Sequence, residues 1–402
     1  MDPYLGEWLN FLIRLLHVVA GIAWIGSSFY FIALDLHLLP PKNPADAARQ
    51  VGGEAWEIHG GGFYRIEKFR VTPERIPEPL HWFFWEAYTT WLSGFALLIV
   101  LYYFNAELYL VDRDVLDLSA GQAIAASVAM LAIGWLAYDG LCRLLEGRDR
   151  ELAAALVLVL ILTTYGASLV FSARAVYIQI GAMIGTWMVA NVFFVIIPGH
   201  RQLVSAKLAN LDPDPIHGIR GKQRSVHNNY LTLPVLIAML SNHYPFTYSH
   251  PHGWLVLVLL MSVAAWLRHF FNLRNQGRVH WSIPASAAAA TALIAFAISP
   301  WGPFPPASAA LAAAAPVEFA SARKIVVERC SSCHSAQPTN PAFPVAPKNV
   351  TFDTPESIQL QAQLIFQQVY VTKVMPLGNV TGITPEERTT LAAWVRQGAK
   401  TQ

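Results

Sequence analysis

The chain has few charged residues. Of its 402 residues, 13% are Asp, Glu, Lys or Arg and 54% are hydrophobic, whereas an average soluble protein carries about 25% charged residues. The formal net charge is only +2, so the sequence lacks the excess of basic residues that is typical of nucleic-acid binding. We therefore expect no nucleic-acid partner, and a chain that lies mostly in a lipid bilayer.

Cysteine is almost absent, with three residues in the whole chain. This number excludes a disulfide framework. Cys142 stands alone near the end of an apolar run, and we interpret it as a packing residue. The other two, Cys330 and Cys333, are followed directly by His334.

The spacing C-x-x-C-H attaches a c-type haem. The thiols of Cys330 and Cys333 would bond to the porphyrin, and His334 would ligate the iron. Met375 follows 41 residues later and is the predicted second iron ligand, because His/Met ligation raises the reduction potential. The alternatives are a chance match, a zinc site or a thiol redox pair. Haem c is attached outside the cytoplasm, so this part of the chain is expected there.

A serine esterase is excluded by a missing motif. The run His59-Gly60-Gly61-Gly62 resembles an esterase oxyanion loop, but no G-x-S-x-G sequence accompanies it. Alternating residues on both sides of the glycines instead predict a β-hairpin over 52–71, on the cytoplasmic face of the membrane.

Long apolar runs are abundant, and a span of the bilayer needs about 20 such residues. Seventeen Lys and Arg residues lie in the loops on one predicted side, against only Arg113 and Arg174 on the other. The positive-inside rule then places both termini in the periplasm, for a multi-pass protein of the bacterial inner membrane. The predicted spans are 9–36, 82–104, 120–141, 151–172, 176–198, 228–246, 253–273 and 280–300.

The sequence predicts an all-α fold in three parts. Residues 1–300 form an eight-helix transmembrane bundle that carries the catalytic function and the hairpin. Residues 301–317, rich in Pro and Ala, form a linker. Residues 318–402 form a periplasmic cytochrome c domain of class I type, with helices over 318–330, 355–371 and from 384 to about 398.

Ionisable residues within predicted spans usually mark a functional site. Arg14, His17 and His243 lie toward the periplasm. We interpret His17 and His243 as candidate ligands of a non-covalent haem b; they could equally tie helices together through backbone carbonyls, or hold a metal ion.

A larger group lies toward the cytoplasm, beneath the hairpin, and suits a flat, polar, anionic heterocycle. Arginine and asparagine would donate to the ligand's oxygens, and Glu86 or a histidine would act as general base. Some members could instead be structural pairs, such as Arg268 with Asp139. The candidate catalytic residues are Glu86, His81, Arg268, Asn228 and His59.

Five segments are specific enough to compare with a known family: Gly21–Tyr30, His59–Tyr64, Trp85–Gly94, His227–Pro234 and Ser241–Pro245. With them the chain resembles the membrane-bound, cytochrome-c-linked urate hydroxylase (urate oxidase) family of bacteria. The resemblance implies oxidation of urate to 5-hydroxyisourate. It also implies that electrons pass through the haem c to a respiratory acceptor, such as a soluble cytochrome or a terminal oxidase.

Two other functions stay open at this stage. The chain could be a membrane-anchored cytochrome c subunit that relays electrons from another dehydrogenase or from quinol. It could also be a transporter with a redox sensor, although the halves show no internal repeat. The substrate pocket is open as well: an inner pocket would require electrons to cross much of a core about 30 Å thick, and an outer pocket near Arg14 and His17 would not.

Overall fold

The structure is a computed structural model, which describes residues 3–299, 301–304 and 316–401. In these residues the chain is mostly helical, as predicted, with a single β-hairpin. Most of the predicted linker lies outside the described residues. The helices before it are α1 Pro3–His37, α2 Pro44–Ala48, α3 Trp85–Leu98, α4 Ala106–Tyr109, α5 Ala120–Leu144, α6 Asp149–Ser168, α7 Ala173–Ala190, α8 Ile197–Leu208, α9 Ile216–Leu240, α10 Pro245–Tyr248, α11 Gly253–Asn275 and α12 Ser282–Ala297.

Five helices of the described chain are long and apolar enough to cross a membrane. They are Tyr4–His37, Ala120–Leu144, Asp149–Ser168, Ala173–Leu208 and Gly253–Asn275. α12 is apolar but shorter. The predicted span 82–104 falls on α3 and a following π-helical turn, Ile99–Tyr103. The predicted span 228–246 falls on α9, whose first turns are strongly basic. Eight crossings therefore stay a prediction.

The predicted hairpin is confirmed. Its strands, β1 Val51–His59 and β2 Gly62–Phe69, are antiparallel, with His59 opposite Gly62. Gly60 and Gly61 form the turn with φ of +56° and +83°, a left-handed conformation that glycine adopts without steric strain. Two positive values in succession are typical of the tight turns that match strand twist.

Ion pairs fix the hairpin to the helices. Arg65 of β2 pairs with Asp46 of α2 and, at 2.8 Å, with Glu54 of β1. Lys68 of β2 pairs with Asp35 near the end of α1. Arg65 of the hairpin is therefore occupied by structural contacts.

The loops at each end of the bundle contact one another. At the end that carries the hairpin, Asp35 also accepts from Lys222 at 2.9 Å, and Arg220 pairs with Glu146 at 2.7 Å. At the other end, the Ser172 amide donates to Leu110 and Arg174 donates to Asn242. These contacts group the hairpin with residues 146 and 220–222 at one end of the bundle, and residues 110, 172–174 and 242 at the other.

The C-terminal residues form a helical unit with its own buried core, which includes Val326, Ile358 and Trp394. Arg329 and Glu387 join its first and last helices through paired hydrogen bonds. The last helix begins with a capping box at Thr384, as predicted, whereas the expected helix over 355–371 is broken at Gln361. The helices are α13 Phe319–Cys330, α14 Pro355–Leu360, α15 Ala362–Ile365 and α16 Pro385–Arg396.

This C-terminal unit packs on the loop around α4. The Asn379 amide donates to both carboxylate oxygens of Asp114 at 3.2 Å. Gly378, with φ of +57°, lies so close to the carbonyl oxygens of Glu107 and Val111 that a Cβ atom would collide with them. Glycine is required here by both the backbone conformation and the close approach.

Candidate functional site

The C-x-x-C-H motif folds into a tight turn at the end of α13. Cys330 is the last residue of that helix, and its carbonyl accepts from the amides of Cys333 and His334 at 3.1 and 2.9 Å. The turn presents both thiols and the imidazole from one short segment, as two thioether bonds and one iron ligand require. Cys330 is buried and Cys333 is half-buried.

The surroundings of His334 suit an iron ligand. Its Nδ1 lies 2.9 Å from the Val350 carbonyl. Donation to that carbonyl leaves Nε2 with a free lone pair, which is the usual arrangement of a ligating histidine. Met375 packs against the core that contains Cys330, and the Arg388 guanidinium donates to the Met375 carbonyl at 2.7 Å. The side chains present therefore fit a haem c.

The alternatives of zinc and of thiol exchange fit less well. Burial raises the pKa of the Cys330 thiol to about 12, whereas thiol exchange needs a thiolate. A structural zinc site needs four ligands. The described part of the chain contains no group of three or more His, Cys, Asp or Glu side chains that could hold a metal ion.

At the bundle end that faces the C-terminal unit, polar side chains surround Arg174. We call Tyr102, Tyr109, Arg174 and Asn242 the outer cluster. The Arg174 Nε donates to the Asn242 Oδ1 at 3.0 Å, and the Tyr102 hydroxyl donates to the same oxygen at 3.3 Å. The guanidinium carbon lies 4.9 Å from the centre of the Tyr109 ring, within range of a cation–π interaction.

The residues of the outer cluster come from elements that are far apart in the sequence. Tyr102 belongs to the π-helical turn Ile99–Tyr103, an irregularity that is frequent at functional sites. Tyr109 ends α4, and its carbonyl accepts from the Ser172 hydroxyl at 2.7 Å. Burial raises the pKa of the Tyr109 phenol; the Arg174 charge opposes this rise, and the Cys333 thiol adds to it.

A second polar network lies toward the hairpin end, between α5, α7 and α9. Arg224, only 4% exposed, donates to Asp139 at 2.7 Å and to Asn191 at 3.1 Å. The Asn191 amide donates to Asn228 and to the Tyr138 hydroxyl. The predicted pair of Arg268 with Asp139 is wrong. Arg224 of α9 binds this carboxylate instead.

Arg268 belongs to a separate site. Its Nε donates to the Asn229 Oδ1 at 2.6 Å, and Asn229 donates to Asn272 at 2.9 Å. The guanidinium lies 3.7 Å from the centre of the Phe29 ring. Arg268 is 4% exposed, and one of its terminal nitrogens has no hydrogen-bond partner among the described residues.

The other candidate catalytic residues do not join either network. His81 is exposed and contacts the Phe83 ring, and His59 is exposed at the hairpin turn. Glu86 is half-buried in the first turn of α3. In the part of the chain that the structure describes, no hydrogen bond or ion pair links these three to Asn228 or Arg268. The five candidates therefore do not form the single cluster that we expected.

His59 lies in an open groove of about 980 Å³ along the hairpin. The polar groups within it bind one another: the Tyr30 hydroxyl donates to Glu57 at 2.7 Å, and His37 lies 3.4 Å from the same carboxylate. These contacts attach the hairpin to α1, so the polar groups of the groove have a structural role.

The two candidate ligands of haem b lie in different settings. His17 contacts α3, with Nδ1 2.9 Å from the Thr90 carbonyl and its ring against Gly94. His243 is exposed in the short 3₁₀ turn after α9. Within the described residues no hydrogen bond or ring contact joins the two histidines. The contact of His17 favours the alternative that it ties two helices together.

Sequence reasoning missed the central residues of two sites. The sequence marks Arg174 and Arg224 only as charges in loops. It predicts no role for Tyr102, Tyr109 or Tyr138. A sequence signal existed for Arg174, because it is one of only two basic residues on its predicted side. No comparable signal marked Arg224, which lies among several other basic residues.

The comparison with protein families gives one extended match. The sequence model of a family described as urate oxidase, N-terminal, matches residues 3–299. That range includes the outer cluster and the sites around Arg224 and Arg268. It ends before the C-terminal unit. No curated protein and no solved structure matches the chain. Because the match covers about three quarters of its length, the chain belongs to the urate oxidase N-terminal family.

Proposed function

We propose that the helical bundle oxidises urate to 5-hydroxyisourate and transfers the electrons to the C-terminal domain. The family match supports urate as the substrate. The observation that carries the electron transfer is the C-x-x-C-H turn in a unit that packs directly on the bundle, through Asn379 and Asp114. Urate oxidase chemistry needs an electron acceptor, and this chain would contain its own.

The reaction needs only urate, one water and an electron acceptor. Urate takes up one water at C5 and releases two electrons and two protons to give 5-hydroxyisourate. A basic side chain must remove a proton as charge shifts within the ring, and cationic donors must hold the oxygens. Two arginines of the bundle, the half-buried Arg174 and the buried Arg268, have no carboxylate partner among the described residues. Each offers the positive charge that the urate anion requires.

Cys330, Cys333, His334 and Met375 would hold the haem c. When bound there, a haem c supplies an iron that accepts electrons one at a time. The chain's own contribution is to fix the imidazole through Val350, to enclose the site with the core around Trp394, and to hold the domain against α4. We propose no haem b, because His17 contacts the Thr90 carbonyl and His243 is exposed.

We further propose the bacterial inner membrane as location, with eight crossings and both termini in the periplasm. The separation of the basic loops from the loops near the C-terminal domain supports this topology. The reduced domain would then face soluble cytochromes or a terminal oxidase. Reporter fusions at residue 402 and within 199–215 would test the sidedness.

Anaerobic addition of urate to the purified full-length protein should reduce its haem. The measurement is the growth of the α-band of the reduced c-type haem, with 5-hydroxyisourate followed by its ultraviolet absorption. The second candidate function is a membrane-anchored cytochrome c subunit that serves another dehydrogenase or quinol. It would show reduction by a quinol and none by urate. The C-terminal domain alone favours that candidate, because a c-type haem unit suits any electron donor.

Replacing Met375 with alanine should lower the reduction potential of the haem. Loss of a thioether ligand removes a main determinant of potential, so the change should be on the order of 100 mV. Redox titration of the holoprotein measures it. Met261→Ala, a buried methionine of the bundle, is the matched control and should leave the potential unchanged. An unaltered potential in Met375→Ala would show that another residue, or none, is the second ligand.

A further inference from the structure

The outer cluster holds a positive charge with no negative charge beside it. In the described part of the chain no carboxylate pairs with Arg174; its neighbours are the neutral side chains of Tyr102, Tyr109 and Asn242. Tyr248, 4% exposed, is also close. Arg174 is half-buried, and partial removal of an unpaired cation from water is unfavourable unless a counter-charge is supplied. The simplest supply is a bound anion.

The cluster also provides donors in a suitable arrangement. The Asn242 Oδ1 accepts from both Arg174 and Tyr102, so its amide nitrogen keeps its two N–H groups for another acceptor. The Arg174 Nε is used, and its two terminal nitrogens carry four further N–H groups, more than the neighbouring Tyr102 hydroxyl can accept. The ring of Tyr109 adds a flat apolar surface. Charge, several donors and an aromatic face match a flat anion that carries several oxygens.

The cluster lies next to the C-terminal domain. Tyr109 ends α4, the helix on which Gly378 of that domain packs. Asp114, which binds Asn379, lies in the same loop. A ligand on Arg174 would therefore lie beside Tyr109, at the end of the helix on which the C-terminal domain packs.

We propose that Arg174 and Asn242 bind the urate anion in the outer cluster, beside Tyr109 and beneath the C-terminal domain. This inference rests on the proposed function and adds the place where the substrate binds. A site at this end removes the difficulty of an inner pocket, since electrons need not cross a hydrocarbon core about 30 Å thick. Arg268 then has a structural role at the other end.

Urate binding can be measured without turnover on holoprotein that has been reduced chemically beforehand. Equilibrium dialysis with labelled urate should show affinity about 10- to 100-fold weaker for Arg174→Gln than for the unaltered protein, the loss expected for charge-assisted hydrogen bonds. Arg174→Lys, which keeps the charge, should lose less. Arg113→Gln is the matched control and should keep its affinity, because Arg113 is the other basic residue on this predicted side and lies 3.9 Å from Asp117. Arg268→Gln tests the inner pocket.

Asn242→Asp gives an independent test with almost no change of volume. A carboxylate at this position would neutralise Arg174 internally, so urate should bind at least about 10-fold more weakly while the domain retains its haem. Haem content and elution volume in detergent report folding for every variant. The same proteins are then oxidised and mixed with urate to follow haem reduction.

The outcomes separate the two proposals. Reduction of the unaltered protein by urate, with normal affinity in Arg174→Gln and Asn242→Asp, would overturn the outer site and leave the proposed function intact. If Arg268→Gln alone lost affinity, the inner pocket would replace it. Failure of urate to reduce the unaltered protein would refute the proposed function, whatever the binding data show.

Discussion

Replacing Cys330 and Cys333 together with alanine is expected to yield a protein without covalent haem, whose C-terminal domain does not fold and which urate no longer reduces. Residues 318–402 number 85, a length at which a hydrophobic core alone supplies little stability. Cys330 belongs to that core, and a bound porphyrin would supply much of the rest. Haem staining of the denatured protein and its intact mass report attachment.

The bundle should survive this change, because it has a core of its own around α7. Detergent-solubilised variant protein should therefore keep its helical content over residues 3–299 while the C-terminal domain becomes protease-sensitive. Cys142→Ala is the matched control, since Cys142 is equally buried but lies in α5. Covalent haem in the double variant, or its absence from the unaltered protein, would contradict the assignment.

The second large effect is expected at Asp139. Asp139→Ala removes the carboxylate that pairs with Arg224 and leaves a guanidinium buried without a counter-charge. Breaking a buried pair in this way costs about 3–5 kcal/mol. The hydrogen bonds from Arg224 to Asn191 and onward to Asn228 would also lose their anchor. We expect a large fall in the midpoint of thermal unfolding in detergent.

Arg143 supplies the control, because it binds the other oxygen of Asp139 at 2.7 Å from an exposed position. Exposed pairs contribute about 0–1 kcal/mol, so Arg143→Ala should change the midpoint little. Asp139→Asn should fall between the two, since the amide keeps a hydrogen-bond acceptor without the charge. Equal midpoints for Asp139→Ala and Arg143→Ala would show that Arg224 does not depend on its carboxylate.

Features encoded by neighbouring residues could be predicted. The hairpin turn depends on Gly60 and Gly61, and the start of the last helix depends on Thr384 and Glu387. In both, a short run of residue types fixes the backbone, because left-handed φ values favour glycine and side-chain capping operates within one turn. The end of α13 at Cys330, where the C-x-x-C-H motif begins, could also be predicted from neighbouring residues.

The pairing of buried polar groups could not be predicted. Asp139 could in principle bind any basic residue at its depth, and the choice between Arg224 and Arg268 depends on which helix faces α5. That choice is made by packing of α5, α7 and α9 around Tyr138 and Trp187, whose rings stack at 4.8 Å. The faces that two packed helices turn toward each other depend on how their side chains fit together. A single sequence does not contain this information.

The sequence by itself determined the helical, membrane-type composition, the hairpin and the C-x-x-C-H turn. Each follows from local residue chemistry or from the thickness of a bilayer. Only the tertiary structure decided which ionisable groups neutralise one another and that Arg174 remains without a carboxylate. The same folding placed Arg174 beside the domain that carries Cys333. The reason is physical: charge compensation depends on distances of a few ångströms between residues far apart in the chain, and folding alone sets those distances.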